Sequence, residues 1–422
     1  MAPLSVVGSR ARLGILMAAS VLAVGAGVWV TRDAGGSSLA TWPAGDDRTP
    51  TTTASTAPST TATTASTTTT STTTTTTAPS LPPTAGLRLE ELRTIVATEA
   101  TGPLSPKSIV ASGTGVVYAQ NMIYSHSITA FDANGDFLAT IPDSVDLARY
   151  GITSFPSGTV QGGPVELAFS PDRTKAYTSN YSMYGPGFGR EGSDSCSPES
   201  GIDPSFVYRI DVATHTIDQV IQVGSVPKYV ATTPDGRYVL VTNWCTYDLS
   251  VIDAAAGREV QRLPIGRYPR GIAVSPDGGT AYVAIMGGRE IKVVDLGSFE
   301  VRTLGDVGGG PRHIVIDPDG AFLYVTLNQD GRVAKVDART GEVVATVPTG
   351  SAPRSMDISV DGQSLYVVNY DSSTVSKVTT ADMAEVQELP TAYHPIGISY
   401  DRGTGRVWVA SYGGEITLYE DR

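Results

Sequence analysis

The chain has 422 residues, with 7% aromatic and 17% charged side chains, 45 glycines, 27 prolines and two cysteines. Residues 1–84 hold four arginines against three aspartates, a net +1, so of the overall −12 the remaining residues carry −13. An acidic body argues against bulk, sequence-independent nucleic-acid binding, which needs a basic footprint, and two cysteines without CxxC spacing argue against a structural zinc site.

The first predicted element is an apolar, uncharged run of 18 residues, Leu13–Val30, preceded by Arg10 and Arg12. Its length sits at the lower limit for a membrane-spanning helix and exceeds the usual core of a cleaved signal. The positive-inside rule places residues 1–12 in the cytoplasm and all that follows Val30 outside. The expectation is a retained signal anchor over 13–30, with a cleaved signal peptide as the alternative. The body is then held outside the cell on a single span, or secreted if the signal is cleaved. Residues 31–84 follow as a linker. Within it, positions 49–84 contain 20 threonines in 36 residues and no charge. Such a segment has too little apolar surface to fold, and as a flexible coil it would span roughly 30–36 Å.

From residue 85 the sequence repeats. Segments begin at Pro227, Pro269, Pro311, Pro353 and Pro395, each step being 42 residues, with looser copies at Pro106 and Pro164. Each copy reads as four short strands. The first ends at a PDG-type turn, the second is a YVxN-type run, the third ends in an acidic residue, and the fourth runs to a glycine turn before the next proline. Alternating Val, Ile and Tyr bounded by Pro, Asp and Gly are strand signals. Seven four-stranded units of this length predict an all-β, seven-bladed propeller over 85–422. The last copy has room for only three strands, so Leu87–Thr101 is expected to supply its fourth and close the ring, leaving no open edge.

The runs Tyr282-Val283, Tyr324-Val325-Thr326-Leu327-Asn328 and Tyr366-Val367-Val368-Asn369, each behind a PDG-like turn, resemble the YVTN-type, YncE-like β-propeller repeat family. The resemblance implies the same seven-bladed fold and leaves function open, since propellers host many activities.

Two irregular insertions are expected on one face, the top: residues 142–163, before blade 2, and Tyr181–Ser205, between strands 2 and 3 of that blade. Cys196 lies in the second, and Cys245 lies in the equivalent loop of blade 3. Neighbouring blades bring these loops together, and an exported body meets an oxidising compartment, so a Cys196–Cys245 disulfide is predicted.

The residue after each repeat proline is Lys107, Val165, Lys228, Arg270, Arg312, Arg354 and Ile396. The residue two further on is always apolar. Ring symmetry therefore gathers five basic side chains at the top of the central channel, where like charges repel unless an anion or an acidic loop compensates. One reading is an anion site, for a carboxylate, phosphate or sugar acid, with His394 alongside. The other is structural, each cation bonding a neighbouring carbonyl or a loop acid such as Asp248 or Asp330.

Blade 5 opens GPRH, which looks like a segment of the seven-bladed lactonase family. That resemblance implies an oxyanion role for Arg312 and proton transfer by His313. The following strand ends Asn328-Gln329, where that family tends to have Asn-Glu. His126, Glu166, Asp194, Glu199 and His394 are further top-face candidates for a metal or acid–base site, though their spacing demands none, and neither a metal nor a cofactor is expected. Three functions follow: a monomeric binding module for a small anion, a glycan or an envelope protein; a lactonase-like hydrolase; or an inert structural surface protein.

Overall fold

The structure is a computed structural model that describes residues 81–422. The expected membrane segment and the linker up to residue 80 lie outside the described residues. Seven four-stranded antiparallel sheets form the described body, with one extra two-stranded sheet. The innermost strands are Pro106–Ala111, Pro164–Phe169, Pro227–Thr232, Pro269–Val274, Pro311–Ile316, Pro353–Ile358 and Pro395–Tyr400. Each packs against the next and the last packs against the first, which closes a seven-bladed propeller. The closing strand is Leu89–Ile95, paired antiparallel with Ile416–Asp421 at the outer edge of blade 7. Packing begins slightly before the expected domain start: Thr84 is buried, and its backbone N–H donates to Asp361 Oδ2 at 2.8 Å.

Strand alternation sends every second side chain into the space between neighbouring blades. Ala273, Tyr282 and Ile291 of blade 4 thus meet Leu323, Val325 and Val336 of blade 5 in one apolar cluster. Each fully buried aliphatic side chain of this kind contributes roughly 1.5–3 kcal/mol. The PDG turns are fastened by their aspartates. Asp277 Oδ1 accepts from Ser275 Oγ at 2.5 Å and from the Gly279 N–H at 2.9 Å, while Gly278 takes φ +74°. The asparagine that ends the YVxN run clamps the next hairpin. Asn243 Nδ2 donates to Asp248 Oδ1 and Ser250 Oγ, and Asn369 Nδ2 donates to Thr374 Oγ1 and Ser376 Oγ.

The two insertions meet each other but do different things. The first forms strands Ser144–Asp146 and Thr159–Gln161 around a 3-10 turn at Leu147–Tyr150. Phe155 stacks on Phe188 of the second insertion, with ring centroids 4.6 Å apart. Tyr150 donates to the Ile217 carbonyl in the outer strand of blade 2. The first insertion therefore drapes over the outer edge of its blade, while the second reaches the channel.

Candidate functional site

The route by which the chain enters each innermost strand positions the channel residues. The residue before the repeat proline takes a left-handed backbone in blades 3 to 7: Val226, Tyr268, Gly310, Ala352 and His394 have φ between 53° and 63°. Such a φ is strained for a branched side chain such as Val226, so something must hold it. In blades 2 to 7 the carbonyl before the proline accepts from the first N–H after strand 2, that of Tyr181, Trp244, Met286, Asn328, Tyr370 or Tyr412, at 2.7–3.2 Å. Immediately after the proline, the register shifts in all seven innermost strands. A bulge of this kind re-aims side chains. Here it lets two successive residues face the channel.

The first residue after the proline lines an upper cavity of about 260 Å³. Lys107, Lys228, Arg270, Arg312 and Arg354 all face it, together with Tyr181, Asp194, Trp244 and Tyr412 and the thioethers of Met122 and Met286. All five expected basic residues are thus brought together. The second residue lines a separate chamber of about 110 Å³ with Ser108, Glu166, Tyr229, His313 and Ser355.

Asp194 is the one carboxylate among the described residues that line the upper cavity; Glu166 acts on Lys107, Arg270 and Arg312 through space from the chamber beside it, with no hydrogen bond to any of them. Lys228 is ion-paired with Asp194 at 2.9 Å. Among the described residues, Lys107 and Arg270 have no side-chain hydrogen bond or ion pair, Arg312 reaches only Met286 Sδ at 3.9 Å, and the buried Nε of Arg354 has no partner. Asp248 bonds Asn243, and Asp330 Oδ2 accepts from the Gly309 N–H, so neither acid serves the ring. Aromatic faces hold the cations instead. Arg354 lies 3.4 Å from the Tyr370 ring centroid, and Lys228 lies 4.2 Å from that of Tyr181. Trp244 lies under Lys228 and Arg270 and stacks on Tyr268 at 4.3 Å. Such contacts contribute about 0.5–2 kcal/mol each.

Titration reflects this crowding. Burial, with Arg270 and Arg312 adding to it, drives the Lys107 ammonium well below its ordinary range. Lys228 is pushed down to about 7 by burial and Arg270, against the pull of Asp194. Partial desolvation would raise the Asp194 carboxyl, but Lys228 and Arg270 outweigh it and hold it below its ordinary value, while the side chain itself stands mostly exposed. Burial raises Glu166, with Lys107 and Arg270 opposing.

The other candidates are dispersed. His394 does not line the cavity. Its ring stacks between Tyr393 and Tyr370, at 3.7 and 4.1 Å, and so backs the ring that carries Arg354. His126 stacks on Tyr184 and Glu199 is bonded by Ser197, so these residues form no common site with Asp194. Arg312 and His313 face different compartments. His313 Nε2 meets the Tyr229 hydroxyl at 3.3 Å, and burial with Arg312 nearby pushes its imidazole down to about 3. Cys196 and Cys245 are joined as expected, with Cα atoms 5.2 Å apart. The disulfide stands beside the site: Trp244 Nε1 donates to the Asp194 carbonyl at 3.2 Å and Tyr247 Oη to the Cys196 carbonyl at 2.9 Å.

Fold and site together define a seven-bladed propeller whose channel opens through a cationic, aromatic-walled mouth. A family model described as the cytochrome D1 heme domain matches residues 277–409, less than half of the chain. Among solved structures, the Kuenenia stuttgartiensis hydrazine synthase is similar, with 19% identity and a TM-score of 0.58 over 77% of this chain and 98% of that one. A likeness at that identity shows the fold. A search of the curated proteins finds no significant match.

Proposed function

We propose that this protein is an exported, membrane-tethered binding module of the YVTN type that takes a small anion at the mouth of its channel. One observation carries the reading: Lys107, Arg270, Arg312 and Arg354 converge on one cavity with no carboxylate bonded to any of them. Buried cations left unpaired are costly, and a bound anion removes that cost. Export is supported by the apolar run 13–30, the threonine-rich linker and the disulfide, which suits an oxidising compartment.

The family-model match makes haem a candidate ligand, and the residues present do not fit it. The cavity of about 260 Å³ is smaller than the roughly 300 Å³ at which pockets for drug-sized ligands begin, and a haem exceeds such ligands. Haem iron takes a His, Cys, Met or Tyr ligand. Among the described residues no imidazole or thiolate lines this cavity; Met122, Met286, Tyr181 and Tyr412 do, so it is the volume, with Met286 on Arg312 and Tyr181 under Lys228, that leaves no room for the group. Hydrolysis of the lactonase kind would need Arg312 and His313 at one reacting centre, and they line separate spaces.

Thermal unfolding tests the anion site. Phosphate, glucuronate and tricarballylate would each be titrated against the wild type and the Arg270→Ala/Arg312→Ala variant. At a hundred times its dissociation constant, a bound anion stabilises the wild type by about 2.7 kcal/mol. The variant is expected to show no response, and its melting point without anion should equal or exceed that of the wild type, because two mutually repelling cations are gone. Equal responses in the two proteins would defeat the reading.

A further inference from the structure

We propose that the mouth takes a compact aliphatic polycarboxylate whose acid groups engage opposite sides of the channel; this rests on the anion-site reading above. The basic ring is not uniform. Blades 3 to 6 present Lys228, Arg270, Arg312 and Arg354 without a break, whereas Lys107 on blade 1 stands alone between Val165 and Ile396. Asp194 neutralises Lys228. Two cationic poles remain: the arc Arg270–Arg312–Arg354, and Lys107. A ring of seven places blade 1 across the axis from blades 4 and 5, so the poles face each other over one cavity. A single monovalent group at one pole leaves the other buried and unpaired, which is the costly arrangement.

The walls between the poles select the rest of the ligand. Met122 and Met286 offer thioether surface, suited to a carbon skeleton rather than to a bare oxyanion. The ring of Trp244 is occupied by Tyr268, Lys228 and Arg270, and that of Tyr370 by Arg354 and His394. Tyr181 carries Lys228, which leaves Tyr412, among the described residues, as the one lining ring without a cation on it, so the walls suit an aliphatic skeleton better than an aromatic one. Guanidinium groups grip carboxylates through paired, planar hydrogen bonds, and three of them form the larger pole.

Calorimetric titration of the full chain tests the assignment with four probes: tricarballylate, glutarate, butyrate and pyrophosphate. Tricarballylate and glutarate are expected to bind at least tenfold tighter than butyrate. Lys107→Met should bring glutarate to within threefold of butyrate on the same variant, while Lys107→Arg, which keeps the charge, should retain the tenfold preference. Butyrate equal to glutarate on the wild type, or pyrophosphate bound tenfold tighter than both polycarboxylates, overturns the polycarboxylate assignment and leaves the anion site standing. Absence of binding by all four overturns both.

Discussion

Replacing Lys377 with methionine is expected to destabilise the propeller by about 3–5 kcal/mol, the usual consequence of leaving one member of a buried ion pair alone. Lys377 is fully buried in the third strand of blade 6, and Asp421 is 1% exposed at the end of the last strand of blade 7. The ammonium donates to both Asp421 oxygens, at 2.6 and 2.9 Å, and to the carbonyls of Thr84 and Leu87 at 2.7 and 2.8 Å. It therefore ties three stretches together: blade 6, blade 7, and the segment that leads into the closing strand. Tyr366 adds its hydroxyl to Asp421 Oδ2 at 2.5 Å. Losing the cation leaves a buried carboxylate with the Tyr366 hydroxyl as its remaining side-chain donor and takes one donor from each of the two carbonyls. Urea unfolding measures the effect, and a loss under 1 kcal/mol would show that the clasp is dispensable. The Lys377→Met/Asp421→Leu double variant should recover part of the loss, because removing both charges is far less harmful than removing one.

Opening the Cys196–Cys245 bond, by reductant or by the Cys196→Ser/Cys245→Ser variant, is expected to lower stability by about 4 kcal/mol in the chain-entropy account. The bond closes a loop with a sequence separation of 49, and that loop contains the outer half of blade 2 and the inner half of blade 3. Its constraint acts on the unfolded chain, so the urea midpoint should fall equally by either route. A midpoint that did not move would mean that blade packing alone fixes the second insertion. The same bond anchors the segment carrying Asp194, whose carboxylate holds Lys228 and whose carbonyl holds Trp244.

The repeat spacing made the fold legible. Prolines at steps of 42 marked the innermost strands, and the three-strand last copy pointed to closure by the segment that pairs as Leu89–Ile95. The column after the proline correctly located Lys107, Lys228, Arg270, Arg312 and Arg354 around one cavity. Of their neighbours, Glu166 and His313 were named as candidates, but the second chamber they line with Tyr229 was not foreseen. Simple alternation turns the following residue away from the channel, but the bulge after the proline turns Glu166, Tyr229 and His313 toward it. A second signal also went unread: the residue just past strand 2 is Met122, Tyr181, Trp244, Met286, Tyr370 or Tyr412 in six of the blades, and this column builds the wall of the mouth. His394 does not line the cavity, because its ring is taken up in a stack between Tyr393 and Tyr370. The Lys377–Asp421 clasp joins residues 44 apart in different blades, a pairing that no local pattern encodes.

Lysine-selective 13C labelling, with Lys107 and Lys228 assigned through their arginine variants, would follow both ammonium groups through a pH titration. Without ligand, Lys228 should titrate near 7, with Lys107 also well below the ordinary lysine range. An anion facing them favours their charged forms, so saturation with tricarballylate should move both titrations to higher pH, and affinity should weaken as pH rises through them. Titration curves that coincide with and without the anion, at concentrations that stabilise the protein, would contradict the account by placing the anion elsewhere.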